Sequence, residues 1–225
     1  MKKFSLFVVG SFALLLANAA VLAQSDLDVQ QVAEGMKKNQ QALSDYAWQS
    51  RVSLSVDGEE KKVDLYQVRY NMSGELEKTR MGGEADEKKV RGPVRKRMAK
   101  SKKKDMQKFA EELGNQVESY LWPESLSKAL STAFARADGG ALLLLSQDVV
   151  QKGDSVEIGL VEATKQPMTL TIETTADESP VTVEVTFQKL EDGPNYAAQT
   201  VVNTVFDGKK VKIVTENFSY AKQGG

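Results

Sequence analysis

Apolar and polar residues alternate with a period of two through the last third of the chain. Residues 155–160, 168–173 and 181–187 each place an apolar side chain at every second position. Because successive side chains of a β-strand point to opposite faces, this pattern predicts strands with one apolar face. Turn-forming residues separate the runs, at Gly153, 166–167, 179–180, 192–194 and 207–208. The segment therefore predicts an antiparallel meander that needs an apolar cover on one side.

The first half of the chain predicts one helix followed by three strands. Apolar residues recur at helical spacing over 26–45, which predicts an amphipathic helix. Alternation over 46–56 predicts a strand, and turns at 57–58 and 73–74 lead into strands at 61–72 and 75–81. The parity of the apolar positions shifts inside the second strand, which indicates a bulge or a two-sided strand. Residues 82–86 predict a break after the third strand.

The middle of the chain predicts a helical pair. Apolar residues step by three or four along a helix that begins near residue 94, at Met106, Phe109, Leu113, Val117 and Tyr120. Pro123 ends this helix and opens a second one, which we expect to end at 139–140. Residues 141–150 predict a buried strand. The whole pattern predicts an α+β fold, with one curved antiparallel sheet of about 8–10 strands forming a half-barrel and helices covering its concave face.

The N-terminus predicts a signal peptide. A short cationic start precedes an apolar stretch over 4–22, and Val21-Leu22-Ala23 offers small residues at a cleavage site. An uncleaved membrane anchor is the alternative. The chain has no Cys, and a disulfide-free exported protein of 225 residues suits a bacterial periplasm. We therefore predict a periplasmic protein, cleaved near Ala23, with one domain over 24–225 that carries a basic helical insert at about 84–138.

The basic insert is the strongest polar signal. Residues 88–108 contain eleven Lys or Arg and one acid. One interpretation of this segment is a solvated helix face. A more specific interpretation is contact with an anionic membrane surface or lipid headgroup, because each cation near an anionic bilayer contributes about 1 kcal/mol of binding free energy. Export and the scarcity of aromatic residues argue against nucleic acid. The residues predicted to make this contact are Arg91, Arg95, Arg97, Lys100, Lys102, Lys103 and Lys104.

The chain lacks the residues that most catalytic mechanisms require. The chain has no His and no Cys, which excludes Ser-His-Asp and Cys-His nucleophiles and the usual zinc and copper ligand sets. It also lacks phosphate-binding glycine loops and EF-hand spacing. We expect no metal, no cofactor and no enzymatic activity; a pair of carboxylates doing acid–base work is the remaining alternative.

The signal peptide and first helix, followed by Tyr46-Ala47-Trp48-Gln49 at the start of a strand pair, resemble the bacterial outer-membrane lipoprotein carrier (LolA-like) family. So do two later motifs, Asp192-Gly193-Pro194-Asn195-Tyr196 and Val214-Thr215-Glu216-Asn217-Phe218-Ser219-Tyr220. The basic segment Val90-Arg91-Gly92 before a long helix is similar to bacterial periplasmic proteins that themselves resemble this family. The resemblance covers nearly the whole mature chain and implies a half-barrel that encloses an apolar cavity for acyl chains. The long cationic insert departs from the carriers themselves.

Two functions of different class follow. The first is a non-enzymatic periplasmic carrier of an apolar ligand, such as an acyl chain, a lipid or a lipoprotein. The alternative is an envelope protein-interaction or sensor module whose sheet is fully packed; an apolar cavity distinguishes the two. The residues predicted to line the cavity, which ordinary core packing also explains, are Trp48, Tyr66, Val68, Tyr70, Met106, Phe109, Trp122, Phe134 and Phe187.

Overall fold

The computed structural model describes residues 29–71, 75–85, 105–106, 108–110, 112–117, 119–120, 123–138, 140–191 and 193–223. Its central feature is a 10-stranded antiparallel sheet with the strand order β3-β2-β1-β10-β9-β8-β7-β6-β5-β4. The strands are β1 (Tyr46–Val56), β2 (Glu59–Tyr70), β3 (Leu76–Ala85), β4 (Phe134–Asp138), β5 (Ala141–Gln147), β6 (Ser155–Val161), β7 (Pro167–Ala176), β8 (Ser179–Lys189), β9 (Asn195–Phe206) and β10 (Lys209–Lys222). The sheet is open, with β3 and β4 at its two edges within the described part of the chain.

Helices lie on one face of the sheet. Helix α1 spans Val29–Leu43, and the described residues between 105 and 119 are helical and form α2. Helix α3 spans Pro123–Thr132. Apolar side chains of all three helices join the buried strand residues in one hydrophobic core. We call the helix-covered face of the sheet the inner face.

The alternation of the strands explains which face is covered. Along β8, Val181, Val183 and Val185 are buried, whereas Glu184 between them is exposed. The same parity holds along β7, where Leu170 and Ile172 are buried. The meander predicted for the last third of the chain is therefore confirmed, because its apolar positions form the inner face and its polar positions face solvent.

Hairpin turns connect neighbouring strands with little extra chain. In the β1–β2 and β9–β10 turns, an Asp and a following Gly both have positive φ, at Asp57–Gly58 and Asp207–Gly208. This geometry matches the right-handed twist of the flanking strands, and Gly adopts it without a steric penalty. The sequence predicted both turns.

The parity shift in the second strand reflects a two-sided strand, because Val63 and Leu65 are half-buried on the outer face of β2, and the bulge opposite them belongs to β3. The pairing of β2 with β3 shifts register between Leu65 and Tyr66, whose partners are Gly82 and Arg80. Met81 is the extra residue on β3, which makes this a β-bulge. The side chains of β2 keep their alternation through it, with Asp64, Tyr66 and Val68 on the inner face.

The predicted α+β class is wrong, because the described chain is mainly β-structure. The expected helix over 123–138 ends at Thr132, and Phe134–Asp138 form edge strand β4, paired with β5. The expected break at 82–86 is occupied by β3 as far as Ala85. The strand predicted over 141–150 ends at Gln147. The signal peptide and residues 86–104 lie outside the described residues.

Candidate binding pocket

A small pocket lies between α1 and the inner face of the sheet. It opens partly to solvent and encloses about 60 Å³ for the centres of water-sized molecules. Strands from the middle of the sheet form its floor and α1 forms its roof. Its lining residues are Met36, Asn39, Gln40, Leu43, Trp48, Tyr70, Pro167, Leu170, Val185, Phe187, Asn195, Tyr196, Ala197, Asn217 and Tyr220.

Stacked aromatic rings make one wall of the pocket. The rings of Trp48 on β1 and Tyr220 on β10 are nearly parallel, at 11°, with centroids 5.3 Å apart. Tyr70 on β2 lies 5.8 Å from Trp48, and Tyr196 on β9 lies 4.4 Å from Tyr220. Such contacts fix ring positions and contribute beyond the area that they bury. The wall is therefore held in place by four strands.

Helix α1 is fixed over the pocket by a side chain that bonds to the sheet backbone. The Asn39 side-chain amide donates to the Asn195 carbonyl at 2.8 Å, and its carbonyl accepts from the Asn195 N–H at 2.6 Å. Met36, only 5% exposed, packs into the core one turn earlier. The pair of hydrogen bonds sets the height of the helix above β9.

The pocket is electrically neutral. No Lys, Arg, Asp or Glu is found among the described residues that line it. Burial, followed by the neighbouring Tyr196 and Tyr70, raises the pKa of Tyr220 above its ordinary range. Tyr220 therefore stays protonated at physiological pH, and the pocket favours an uncharged group.

Two buried polar atoms of the lining residues have no hydrogen-bond partner among the residues that the structure describes. Trp48 is 3% exposed and its indole Nε1 donates to no acceptor; Asn217 is 5% exposed and its Oδ1 accepts from no donor. The Asn217 amide nitrogen does donate, to the Ala197 carbonyl at 2.8 Å, which fixes the orientation of the amide. Buried polar groups without partners are rare in folded proteins.

Three of the predicted lining residues lie in the pocket, namely Trp48, Tyr70 and Phe187. The structure places the others elsewhere. Tyr66, Val68 and Phe109 are core residues outside it, and Met106 packs against that core. Phe134 is 80% exposed at the start of β4. Trp122 and the basic residues Arg91, Arg95, Arg97, Lys100, Lys102, Lys103 and Lys104 lie outside the described residues.

Sequence reasoning missed most of the polar lining and all of the roof. Met36, Gln40 and Leu43 belong to the predicted first helix, but none of them is among the predicted lining residues. Asn217 and Tyr220 are three positions apart in the predicted last strand, so strict alternation would put them on opposite faces. A register shift of β10 on β1, beside Ser219 with its positive φ, lets both residues line the pocket. The sequence does show which positions of the last strand alternate. To know which of them lie beside Trp48, however, one needs the register of β10 on β1, which the sequence alone does not give.

Two buried carboxylates lie outside the pocket, and both are fully engaged. Burial acts to raise the pKa of Asp64, but hydrogen bonds and charge from Lys62 and then Arg80 outweigh it and hold the pKa below its ordinary value. Tyr66 also donates to Asp64, at 3.2 Å. Burial, then the Asp64 charge, raises the pKa of Tyr66 to about 12. Asp64 thus joins β2 to β3 structurally.

Asp154 is the second buried carboxylate. Its oxygens accept from the backbone N–H groups of Val149, Val150 and Gln151 at 2.6, 2.8 and 2.8 Å, and from the Tyr120 hydroxyl at 2.8 Å. Burial acts to raise its pKa, but these donors together lower it. Asp154 organises the β5–β6 loop and connects it to the end of α2.

The described residues contain no cluster of three or more acids that could hold a metal ion. None of the helices among them is long and apolar enough to cross a membrane. Within the described part of the chain, the pocket is the candidate site.

Comparisons with known proteins assign no family. No protein-family model matches the chain, and no curated protein matches it. It is similar to a solved structure of MucB in complex with MucA(peri), at 11% identity and a TM-score of 0.23, over 86% of this chain and 100% of that one. A Pseudomonas aeruginosa MucA/MucB complex gives 9% identity and a TM-score of 0.25, over 86% and 99% of the two chains. These scores are too low to establish a shared fold.

Proposed function

We propose that the protein is a non-enzymatic binding module of the bacterial cell envelope that recognises a partner protein through the pocket under α1. The observation that carries the proposal is the size and character of this pocket. An uncharged, largely apolar space of about 60 Å³ suits the tip of one aliphatic side chain. Interfaces commonly anchor a few side chains in such well-packed sockets.

The pocket is small for an acyl chain. An apolar cavity of about 150 Å³ holds one benzene molecule, and this space is less than half as large. Drug-sized ligands occupy pockets of about 300–1,000 Å³. Elsewhere the inner face is covered by the core side chains of the helices. The packed sheet therefore favours a protein-interaction module over a carrier that encloses a lipid.

Export is part of the proposal. The cationic start, the apolar stretch over 4–22 and the small residues before Gln24 support cleavage and release into the periplasm. Mass spectrometry of the protein isolated from a native host tests this point. We expect a mature N-terminus at Gln24, and an intact Met1 would contradict it.

The test of partner binding begins with site-specific cross-linking in the native envelope. A photo-reactive amino acid at Gln40, on α1 over the pocket, is compared with one at Lys212, which is exposed on β10. The protein cross-linked from Gln40 and not from Lys212 is then purified, and its affinity for the full mature chain is measured by calorimetry.

A pocket-filling variant decides whether the pocket is used. Ala197→Leu places three further carbon atoms in the pocket, and Ala198→Leu makes the same change at a neighbour that does not line it. We expect Ala197→Leu to weaken partner binding at least tenfold, a loss of about 1.4 kcal/mol, with Ala198→Leu close to the parent. Equal affinities for the two variants, or no cross-link specific to Gln40, would overturn the proposal.

Carriage of an apolar ligand is a second candidate. It is favoured by the aromatic and aliphatic lining and by the single-helix roof over the pocket, whose outward movement would enlarge the space. In this alternative the basic residues from Arg91 to Lys104 contact lipid headgroups. Native mass spectrometry after incubation with phospholipid vesicles tests it; a stoichiometric lipid adduct that Ala197→Leu removes would support this function in place of the first.

A further inference from the structure

We propose that two copies of this chain pair through edge strand β4, in a two-fold antiparallel register that sets Ala135 opposite Ala135 and Phe134 opposite Arg136 of the second copy. The inference goes beyond the proposed function, because none of the described residues of β4 lines the pocket under α1. It rests on an edge that lacks protection against pairing, on an exposed apolar patch beside that edge, and on the register that the charges allow.

Strand β4 is open along one side. Within the described part of the chain it pairs with β5 and with no other strand. Backbone groups of an edge strand that point away from its one neighbour form a row of N–H and C=O groups that can pair with another extended chain. An added antiparallel strand satisfies these groups with main-chain hydrogen bonds.

The two edges of the sheet differ in how they resist such pairing. Edge strand β3 has a bulge at Met81 and carries the exposed charged residues Glu77 and Arg80. Bulges and charges on an edge discourage pairing with other chains. Strand β4 keeps a regular register along β5 and carries Phe134, which is 80% exposed. The β4 edge is therefore the one suited to association.

Phe134 belongs to an apolar patch on the outer face of the sheet, opposite the helices. Its cross-strand neighbour on β5 is Leu145, which is 42% exposed, and the half-buried Leu143 lies on the same face opposite Arg136. A second β4 strand brings the same patch of the other copy alongside and buries part of both. An exposed aromatic ring at the centre of such a patch is a typical interface anchor.

The alternation of β4 selects the register of the pair. Opposite residues of an antiparallel pair share a face, so the two-fold axis passes between two copies of one residue. An axis at Arg136 sets two guanidinium groups opposite each other, and like charges there are destabilising. An axis at Ala135 sets Phe134 opposite Arg136 at two places, and an arginine beside an aromatic ring is favourable. Axes nearer either end of β4 pair fewer of its residues.

The absence of cysteine from the chain makes this register directly testable. In the proposed dimer, the Cα atoms of residue 135 lie about 4.5–5.5 Å apart, which is within the range of a disulfide. Ala135→Cys should therefore form a disulfide-linked dimer of the full mature chain under mild oxidation. Ala133→Cys is the matched control, because residue 133 is displaced from its own copy by four positions, about 13 Å along the strand. Both alanines are half-buried.

Sedimentation of the full mature chain tests association without any cross-link. A strand of five residues and two small patches form a small interface, so we expect the mass to rise from monomer toward dimer between about 10 µM and about 1 mM. Phe134→Lys and Phe134→Glu remove the same exposed ring. Lysine faces Arg136 as a like charge and glutamate as an opposite one, so the Glu variant should associate at least about threefold more tightly than the Lys variant.

Several outcomes would overturn the inference. A parent protein that stays monomeric at about 1 mM would leave the β4 edge to the strand of a different protein. Equal cross-linking from residues 133 and 135, or equal association of the Lys and Glu variants, would show that the copies meet in another register or at another surface. The absence of a partner cross-linked from Gln40 would contradict the proposed function and leave this inference unchanged.

Discussion

Asp154 shows how one buried side chain can set the conformation of a loop and join it to a helix. Four donors surround a carboxylate that is only 2% exposed, three of them backbone N–H groups of the loop itself. Hydrogen bonds to a charged group contribute more than neutral ones, and they require the deprotonated form. The loop should therefore be the acid-sensitive part of the fold.

The variant Asp154→Asn should lower the free energy of unfolding by about 2–4 kcal/mol at pH 7. The pKa of Asp154 is lower in the folded protein than in the unfolded chain, so its stabilisation is fully present above the unfolded pKa of about 4 and is lost as pH falls through the folded pKa. The difference between parent and variant should consequently shrink below about pH 4. Urea unfolding at pH 7 and pH 3 measures both values.

Asp148→Asn is the matched control for this prediction. Asp148 lies in the same loop but is exposed and accepts a bond from one backbone donor, Gly153 N–H. We expect it to cost under about 1 kcal/mol. An equal loss in the two variants, or a pH-independent loss in Asp154→Asn, would show that the loop does not depend on the buried charge.

The β7–β8 turn carries strain at a single residue. Asp177 and Glu178 both have positive φ, at 46° and 63°, in the positions that the two other tight hairpins fill with Asp-Gly. The side chain of Glu178 makes this left-handed conformation costly. The sequence predicted this turn at 179–180, because Ser-Pro is a turn signal. The turn lies two residues earlier and β8 begins at Ser179, since proline is tolerated near the start of a strand.

Glu178→Gly should therefore stabilise the protein by about 0.5–1 kcal/mol, since glycine adopts the left-handed region freely. Glu184→Gly makes the same change in the middle of β8, where glycine is expected to destabilise by a similar amount. Chemical unfolding of both variants at pH 7 checks the opposite signs. A loss of stability in Glu178→Gly would contradict the strained-turn interpretation.

Among the elements, α1 is the one on which the pocket depends. Its contact with β9 includes the two hydrogen bonds between Asn39 and the Asn195 backbone. Alanine at position 39 removes both bonds while improving helix propensity. Asn39→Ala should therefore loosen α1 locally, even though the isolated helix gains stability.

Hydrogen exchange of the α1 amides measures this loosening. We expect roughly a tenfold loss of protection in Asn39→Ala, which corresponds to about 1.4 kcal/mol. Lys38→Ala is the control, because Lys38 is exposed and the same residue is introduced one position earlier. Unchanged protection in Asn39→Ala would mean that the apolar contacts of Val32 and Met36 hold α1 in place without these hydrogen bonds.

Edge strand β4 shows where element prediction from sequence fails. Leu126, Leu130 and Phe134 step at helical intervals, which predicted one helix through to residue 138. Phe134 instead pairs with Leu145 of β5 across a short turn. Strand formation here depends on this pairing with a neighbour, which tertiary context decides. By contrast, the strands β7 and β8 could be predicted, because apolar and polar residues alternate within each of their sequences and no knowledge of a neighbouring strand is needed.

For the whole molecule, the meander and the signal for one apolar face could be predicted, whereas the class and the site could not. The third strand was predicted but continues to Ala85, and β4 was predicted as helix; with both as observed, the described chain is mainly β. Both edges of the sheet depend on pairing that local sequence does not show. The pocket joins Met36 of α1 to Tyr220 of β10, residues that are distant in sequence. Only the register of β1 on β10 brings Trp48 beside Tyr220.

Two phenylalanines that sequence reasoning placed together in the site distinguish the observed fold from the predicted one. Phe109 on α2 is 5% exposed and packs on Phe206 of β9, with ring centroids 4.5 Å apart. Phe134 is 80% exposed at the edge of the sheet. Both were expected to line one cavity, and their substitution by alanine should now have different consequences.

Phe109→Ala should lower the free energy of unfolding by about 3–5 kcal/mol, because it leaves a cavity where α2 packs on the sheet. Phe134→Ala should change it by under about 0.5 kcal/mol, as substitutions at exposed sites usually do. Urea unfolding of both variants at pH 7 makes the comparison. Equal losses would place Phe134 in a packed core and return residues 134–138 to the predicted helix; the expected difference supports an open sheet whose helices cover its centre and leave the β4 edge exposed.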